Sequence, residues 1–319
     1  MEKIELRKVR DFGALFNDSI AFLRLNFKSY FGIIILLAGP FVLLTGLLMG
    51  YLQFIAEKLT SSSISSGMFK TSANMFVGNS VSTLILFGLI FLLTTLVTNA
   101  SIALYFKLYD KATPEELPIQ RNSISPLLTA ACWRLFYNLM LFSLIACVIL
   151  LAVVGIFALL FLIPYMAVVV GIAAFFAYII LIPALAYIVT IANFIVIRDE
   201  ILITAAIGKA WRYMRGSFWW TWLLVFCTVL SLGMIYMLFN MPYTILIVFK
   251  SFTRHAVNMP KSGANDSLMY VLFSALSMFG SMVIISPIFT SVCVLNFYNH
   301  EERHEGTSLM SRIDTFDKN

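Results

Sequence analysis

Long apolar runs separated by short polar, mostly basic segments set the pattern of this chain, and the longest, from Leu135 to Ile197, contains no charged residue. A helix needs about 20 apolar residues to cross a hydrocarbon core of roughly 30 Å. By that measure the pattern predicts six spans, over residues 31–56, 81–106, 135–163, 165–197, 218–249 and 268–298. The run from 135 to 197 is too long for one crossing, and Pro164 marks the expected turn inside it.

The polar segments have a pattern of their own. In RDEILITAAIGKAWRYMRGSFWW, residues 198–220, Ile203, Ile207, Ala210 and Met214 recur at helical spacing and leave Lys209, Arg212 and Arg215 off their face. The N-terminal arm repeats the arrangement, with Phe12, Phe16, Ile20, Leu23 and Phe27 on one stripe and Arg10, Asn17, Arg24 and Lys28 on another. Before the third span, Ser125 can cap a helix and Pro126 can occupy its first turn, ahead of a segment that carries Arg134. Such helices are expected to lie in the headgroup layer, apolar side down, with Trp211, Trp219 and Trp220 at interface depth.

FLRLNF (22–27) superposes on YMRGSF (213–218), matching aromatic, Arg and Phe positions. The reading is an all-α polytopic bundle built as three units, about 8–108, 118–197 and 198–298, each an interfacial helix followed by a transmembrane hairpin. Residues 299–319 then read as a polar tail.

AIGKAWRYMRGSFWW (206–220) resembles a segment of the bacterial multi-pass family known as the glycerophosphoryl diester phosphodiesterase membrane domain, and of related integral membrane families. Ala206, Lys209, Trp211, Arg212, Arg215, Gly216, Phe218 and Trp219 agree with the family's pattern, whereas Gly208 and Ala210 depart from it. The resemblance implies a six-span domain of the bacterial inner membrane. It does not imply phosphodiesterase activity, because that family's catalytic barrel is a separate domain.

Composition strengthens the membrane reading, since 61% of residues are hydrophobic, 12% are charged and the mean hydropathy is +0.92. Soluble domains carry roughly a quarter charged residues. The net charge of +6 lies between apolar runs, so it reports orientation and not a nucleic-acid surface. Seventeen of the 22 Lys and Arg fall in segments that are inside when both termini are cytoplasmic. The acidic residues near the start, Glu2, Glu5, Asp11 and Asp18, argue against a cleavable signal. Residues 57–80 and 250–267 read as solvated connectors.

Chemistry is sparse. No predicted span contains an ionisable residue, which transport and proton relay usually require. Asn99, Asn138, Asn193, Asn240 and Asn296 are the intramembrane polar candidates, and helix-to-helix hydrogen bonding is the preferred role over a substrate path. Pro40, Pro183, Pro242 and Pro287 interrupt spans, which serves packing or, less favoured, a cavity. NHEERH (299–304) reads as solvated charge and not a metal site, Asp199 and Glu200 as a helix start, and the four cysteines as packing residues. No cofactor and no catalytic residue is expected. The residues expected to meet headgroups or partners are Arg10, Arg24, Lys28, Arg134, Lys209, Trp211, Arg212, Arg215 and Trp219. The expected function is a non-catalytic scaffold or assembly partner for membrane or envelope proteins, with a lipid transporter or flippase as the rival.

Overall fold

The computed structural model describes the backbone of residues 3–63, 69–140, 166–256 and 264–306, with side chains described over 3–56, 82–140, 179–249, 252 and 268–306. Among the described residues every regular element is a helix. In chain order these are α1 (Phe12–Leu25), α2 (Phe27–Ser63), α3 (Phe69–Lys111), α4 (described over 121–140), α5 (Met166–Arg198), α6 (Ile203–Arg215), α7 (Phe218–Ala256), α8 (Ala264–Phe279) and α9 (Ser286–Glu305). One π-helical turn, Gly280–Ile285, joins α8 to α9 immediately before Pro287, so the two form one rod.

Five described stretches are long and apolar enough to cross a bilayer: Phe27–Ala56, Ser82–Lys111, Ile179–Arg198, Phe218–Phe249 and Leu268–Glu305. The chain is therefore an all-α, polytopic membrane protein. The third expected span, 135–163, and the turn at Pro164 lie mostly outside the described residues; 135–140 are helical within α4.

Several boundaries differ from the sequence reading. α4 begins at residue 121, four residues before the expected cap at Ser125. The supposed connectors are largely helical extensions, with α2 running to Ser63, α3 starting at Phe69, α7 ending at Ala256 and α8 starting at Ala264. The supposed tail is also corrected: residues 299–305 are the last turns of α9, and Asn299, His300, Glu301 and Glu302 are buried. Residues 307–319 lie outside the described residues.

By contacts the chain forms two compact units, one of Met1–Tyr30, Asn99–Leu230 and Ile288–Asn319, the other of Phe31–Thr98 and Ser231–Pro287. In the second, small residues permit close backbone approach, as helices in lipid require. A Cβ on Gly46 would lie 2.5 Å from Ala275 Cα, and one on Gly50 2.5 Å from Val271 Cα, so α2 and α8 meet backbone to backbone across this GxxxG pair. Buried hydroxyls tie the next pair of helices, Thr45 Oγ1 lying 2.7 Å from Thr94 Oγ1 while Thr94 also donates to Phe41 O at 3.1 Å. Ser277 donates to Asn240 Oδ1 at 2.7 Å between α8 and α7.

The first unit is organised by aromatic rings. Phe22 of α1 stacks on Phe106 of α3 at 4.9 Å, Phe106 meets Phe194 of α5 at 6.3 Å, Phe194 meets Phe297 of α9 at 6.0 Å, and Phe297 meets Tyr213 of α6 at 5.4 Å. Ring pairs at these separations add to the burial of their area. Five helices are thus joined by one run of side chains.

Candidate functional site

The charged ends of these helices converge on Arg198, the last residue of α5. Its guanidinium donates to both oxygens of Glu301 (Nη1 to Oε2 2.8 Å, Nη2 to Oε1 2.6 Å) and through Nε to Asp199 Oδ1 at 2.6 Å. It also lies over the rings of Phe297, Tyr298 and Phe194, at 4.8, 5.4 and 5.6 Å from their centroids. A planar cation that forks onto a carboxylate while stacking on aromatics is a task for arginine and not lysine. The Arg198 side chain is 10% exposed and that of Glu301 3%, so this is a buried pair.

Further pairs extend from it. Lys209 of α6 donates to Asp199 Oδ2 at 2.8 Å and lies 3.7 Å from Glu301. Arg7 reaches Asp110 of α3 at 3.2 Å and Glu301 at 4.0 Å. Glu200 accepts from Lys107 of α3 at 3.0 Å and from Arg134 of α4 at 3.1 Å, while Lys107 also donates to Ile197 O at 2.9 Å. Burial alone would raise the Asp199 carboxyl, but hydrogen bonds from Arg198 and Lys209 and their charges hold it below its ordinary value. Hydrogen bonds from Arg134 and Lys107, with their charges, bring Glu200 down to about 2. Glu200 takes φ +63°, a left-handed backbone uncommon outside glycine, between these two cations.

The segment ahead of α1 closes over the same ends. Lys3 Nζ donates to the terminal carbonyls of α3 and its neighbour, Asp110 O at 3.1 Å and Ala112 O at 2.7 Å. The Arg10 guanidinium gathers the chain around itself, donating to Glu5 O, Leu6 O at 2.8 Å, Lys8 O at 3.0 Å and Asp18 Oδ2 at 2.7 Å. Asn299 Oδ1 accepts the Arg10 backbone N–H at 2.8 Å, and Arg303 Nη2 donates to Arg10 O at 2.6 Å.

A second polar group lies beside the network, where α7 meets α9. Thr221 Oγ1 is 2.9 Å from His300 Nε2, Ser217 Oγ is 3.2 Å from His300 Nδ1, and Asn296 Nδ2 donates to Thr221 Oγ1 at 3.4 Å. Thr221, Asn296 and His300 are all buried.

The predicted site residues divide accordingly. Arg10 is 1% exposed and fully engaged within the protein, which corrects its expected headgroup role: its five donors find carbonyls and Asp18. Lys209 and Arg134 are half-buried and paired with acids. Arg24, Lys28, Arg212 and Arg215 are exposed, as are Trp211 and Trp219, the last at 67%. Asn138 caps α6 from α4, accepting the Ile203 N–H at 2.7 Å and donating to Arg134 O at 2.7 Å, so Asp199 and Glu200 are not the start of that helix. Asn240 and Asn296 bridge helices as described, and Asn99 and Asn193 are half-buried on α3 and α5.

The amphipathic faces are also redistributed. α6 buries Ile203, Ala206, Ala210, Tyr213 and Met214 against protein. On α1 the buried stripe is Leu15, Ser19 and Phe22, while the expected stripe turns outward at Ile20 and Phe27. Sequence reasoning missed Arg198, Glu301, Asp110 and His300 as buried participants. The available signal was the position of Glu301 and Glu302 one helical turn beyond Phe297 and Tyr298.

Among the described residues no group of three or more His, Cys, Asp and Glu side chains could hold a metal ion. Comparison with protein-family models, with curated proteins and with solved structures finds no match to this chain.

Proposed function

We propose that this membrane protein is a non-catalytic scaffold that holds other membrane or envelope proteins in a bacterial inner membrane, with both termini cytoplasmic. The observation that carries the reading is how the charges of the first unit are shared out. Lys107, Arg134, Arg198, Lys209, Arg7 and Arg10 are matched by Asp110, Asp199, Glu200, Glu301 and Asp18, leaving exposed Arg24, Lys28, Arg212 and Arg215 with Trp211 and Trp219. Internal pairs rigidify, and outward cations with tryptophans suit anionic headgroups and protein partners. The excess of Lys and Arg in alternate segments supports the orientation.

A three-unit repeat belongs to the same proposal. A constant step of 191 residues carries Phe22 to Tyr213, Asn26 to Ser217, Phe106 to Phe297 and Asp110 to Glu301. Both ends of that step make like contacts, Phe22 on Phe106 and Tyr213 on Phe297. Phe194 of the middle unit sits in ring contact with Phe106 and Phe297.

Purification of the tagged protein in mild detergent should recover stoichiometric partners. A protein that elutes alone under all such conditions defeats the scaffold reading. The second reading, a transporter of an amphiphile, is favoured by one observation, the buried Ser217, Thr221, Asn296 and His300 group; ligand flux in liposomes that ceases in Asn296→Leu would select it.

A further inference from the structure

Tyr187 of α5 is fully buried and faces Cys293 and Asn296 of α9. Its hydroxyl lies beside the Asn296 side chain without a hydrogen bond of normal geometry, and neither Tyr187 Oη nor Asn296 Oδ1 has a hydrogen-bond partner. The orientation of the amide is set from its other side, where Nδ2 donates to Thr221 Oγ1 at 3.4 Å. A donor hydroxyl and an acceptor carbonyl therefore share one interior space. Groups of this kind are costly to bury unpaired, and buried polar groups are satisfied by protein or by ordered water in the great majority of cases.

The chemistry of the pair selects the occupant. An anion would meet the lone pairs of Asn296 Oδ1, and a cation would meet the hydroxyl proton of Tyr187. A molecule that accepts from one and donates to the other fits both, and complete burial restricts it to the smallest such molecule. We propose that Tyr187 and Asn296 hold a single internal water, which accepts from Tyr187 and donates to Asn296. The polar chain of Ser217, His300, Thr221 and Asn296 then continues through that water onto α5, linking three helices inside the membrane-embedded body.

Hydroxyl-radical footprinting by X-ray radiolysis tests this on the full chain in lipid nanodiscs, because radicals generated from a bound water label the side chain beside it even when bulk solvent has no access. Tyr30 is the internal control, being equally buried but hydrogen-bonded to Ser291. Tyr187 is expected to be oxidised about fivefold faster than Tyr30 in the unaltered protein. Asn296→Leu removes the acceptor and is expected to bring Tyr187 down to the Tyr30 rate. Equal rates for Tyr187 and Tyr30 in the unaltered protein overturn the proposal, and that comparison stands even where the variant fails to fold. Rapid labelling of Tyr187 that persists in correctly folded Asn296→Leu also overturns it, by placing the water elsewhere.

Discussion

Glu301→Gln keeps the shape of its side chain and removes its charge. The carboxylate takes two hydrogen bonds from Arg198, at 2.8 and 2.6 Å, and has Lys209 at 3.7 Å and Arg7 at 4.0 Å. In the variant one acceptor becomes an NH2 that points donors at a guanidinium, and Arg198 is left buried over three rings with Asp199 as its remaining counter-charge. Breaking a buried pair from one side costs about 3–5 kcal/mol, and the surviving Asp199 bond argues for the lower end, about 3 kcal/mol. Replacing both partners with apolar residues of similar volume, Arg198→Met with Glu301→Leu, removes the stranded charge and is expected within about 1 kcal/mol of the parent. Cys293 is buried and free, so its reaction with a fluorogenic maleimide reports unfolding in detergent. About 3 kcal/mol corresponds to a midpoint lower by roughly 5–10 °C. A Glu301→Gln midpoint equal to the parent's, or a double variant as labile as the single one, refutes the account of Glu301 as the counter-charge that permits Arg198 to be buried.

Gly50→Leu, whose Cβ alone would stand 2.5 Å from Val271 Cα, should cost at least about 1–3 kcal/mol by the same thermal assay. Gly88→Ala, with open space around its Cβ, should gain about 0.5–1 kcal/mol, so equal effects at the two glycines would contradict the close α2–α8 approach. Asn138→Ala strands the Ile203 N–H and should cost about 1–3 kcal/mol, with faster amide exchange confined to the first turn of α6. Glu200, held at about 2 against an ordinary 4.5, stabilises the fold above the ordinary value and loses that contribution as pH falls through about 2. The parent midpoint should therefore drop more steeply than that of Glu200→Gln between those limits; parallel curves would count against the Lys107 and Arg134 pairing.

The spans were legible because a bilayer imposes a minimum apolar length that few other contexts demand. Their basic ends were not, since hydropathy treats a charge as exposed, whereas Lys107, Arg198 and Glu301 lie in the last turns of their helices and pair with one another. The helical period of α6 was also legible, and Ile203, Ala210 and Met214 are buried together. What period alone does not specify is the medium that an apolar face meets. On α6 that medium is protein. On α1 the most apolar stripe, with Ile20 and Phe27, points away from the protein interior, and the inward stripe includes Ser19.

The same ambiguity governs the basic residues, and α6 separates its two outcomes within seven residues. Lys209 is half-buried and bonded to Asp199, whose carboxyl is already held by Arg198; its charge completes an acid-rich corner made of Asp199 and Glu301. Arg212 and Arg215 lie on the exposed side of the same helix. Exposed ion pairs contribute little, so these two are not retained for stability by pairing within the chain. Counting cations between apolar runs gives all three equal weight as topological signals, yet one of them is part of the folded interior. Charge distribution in such a chain thus has to be weighed after internal pairs are subtracted. Here the subtraction concentrates the outward positive charge on the short helices α1 and α6 and the turns that follow them, beside Trp211 and Trp219, where a headgroup layer or a partner helix would meet it.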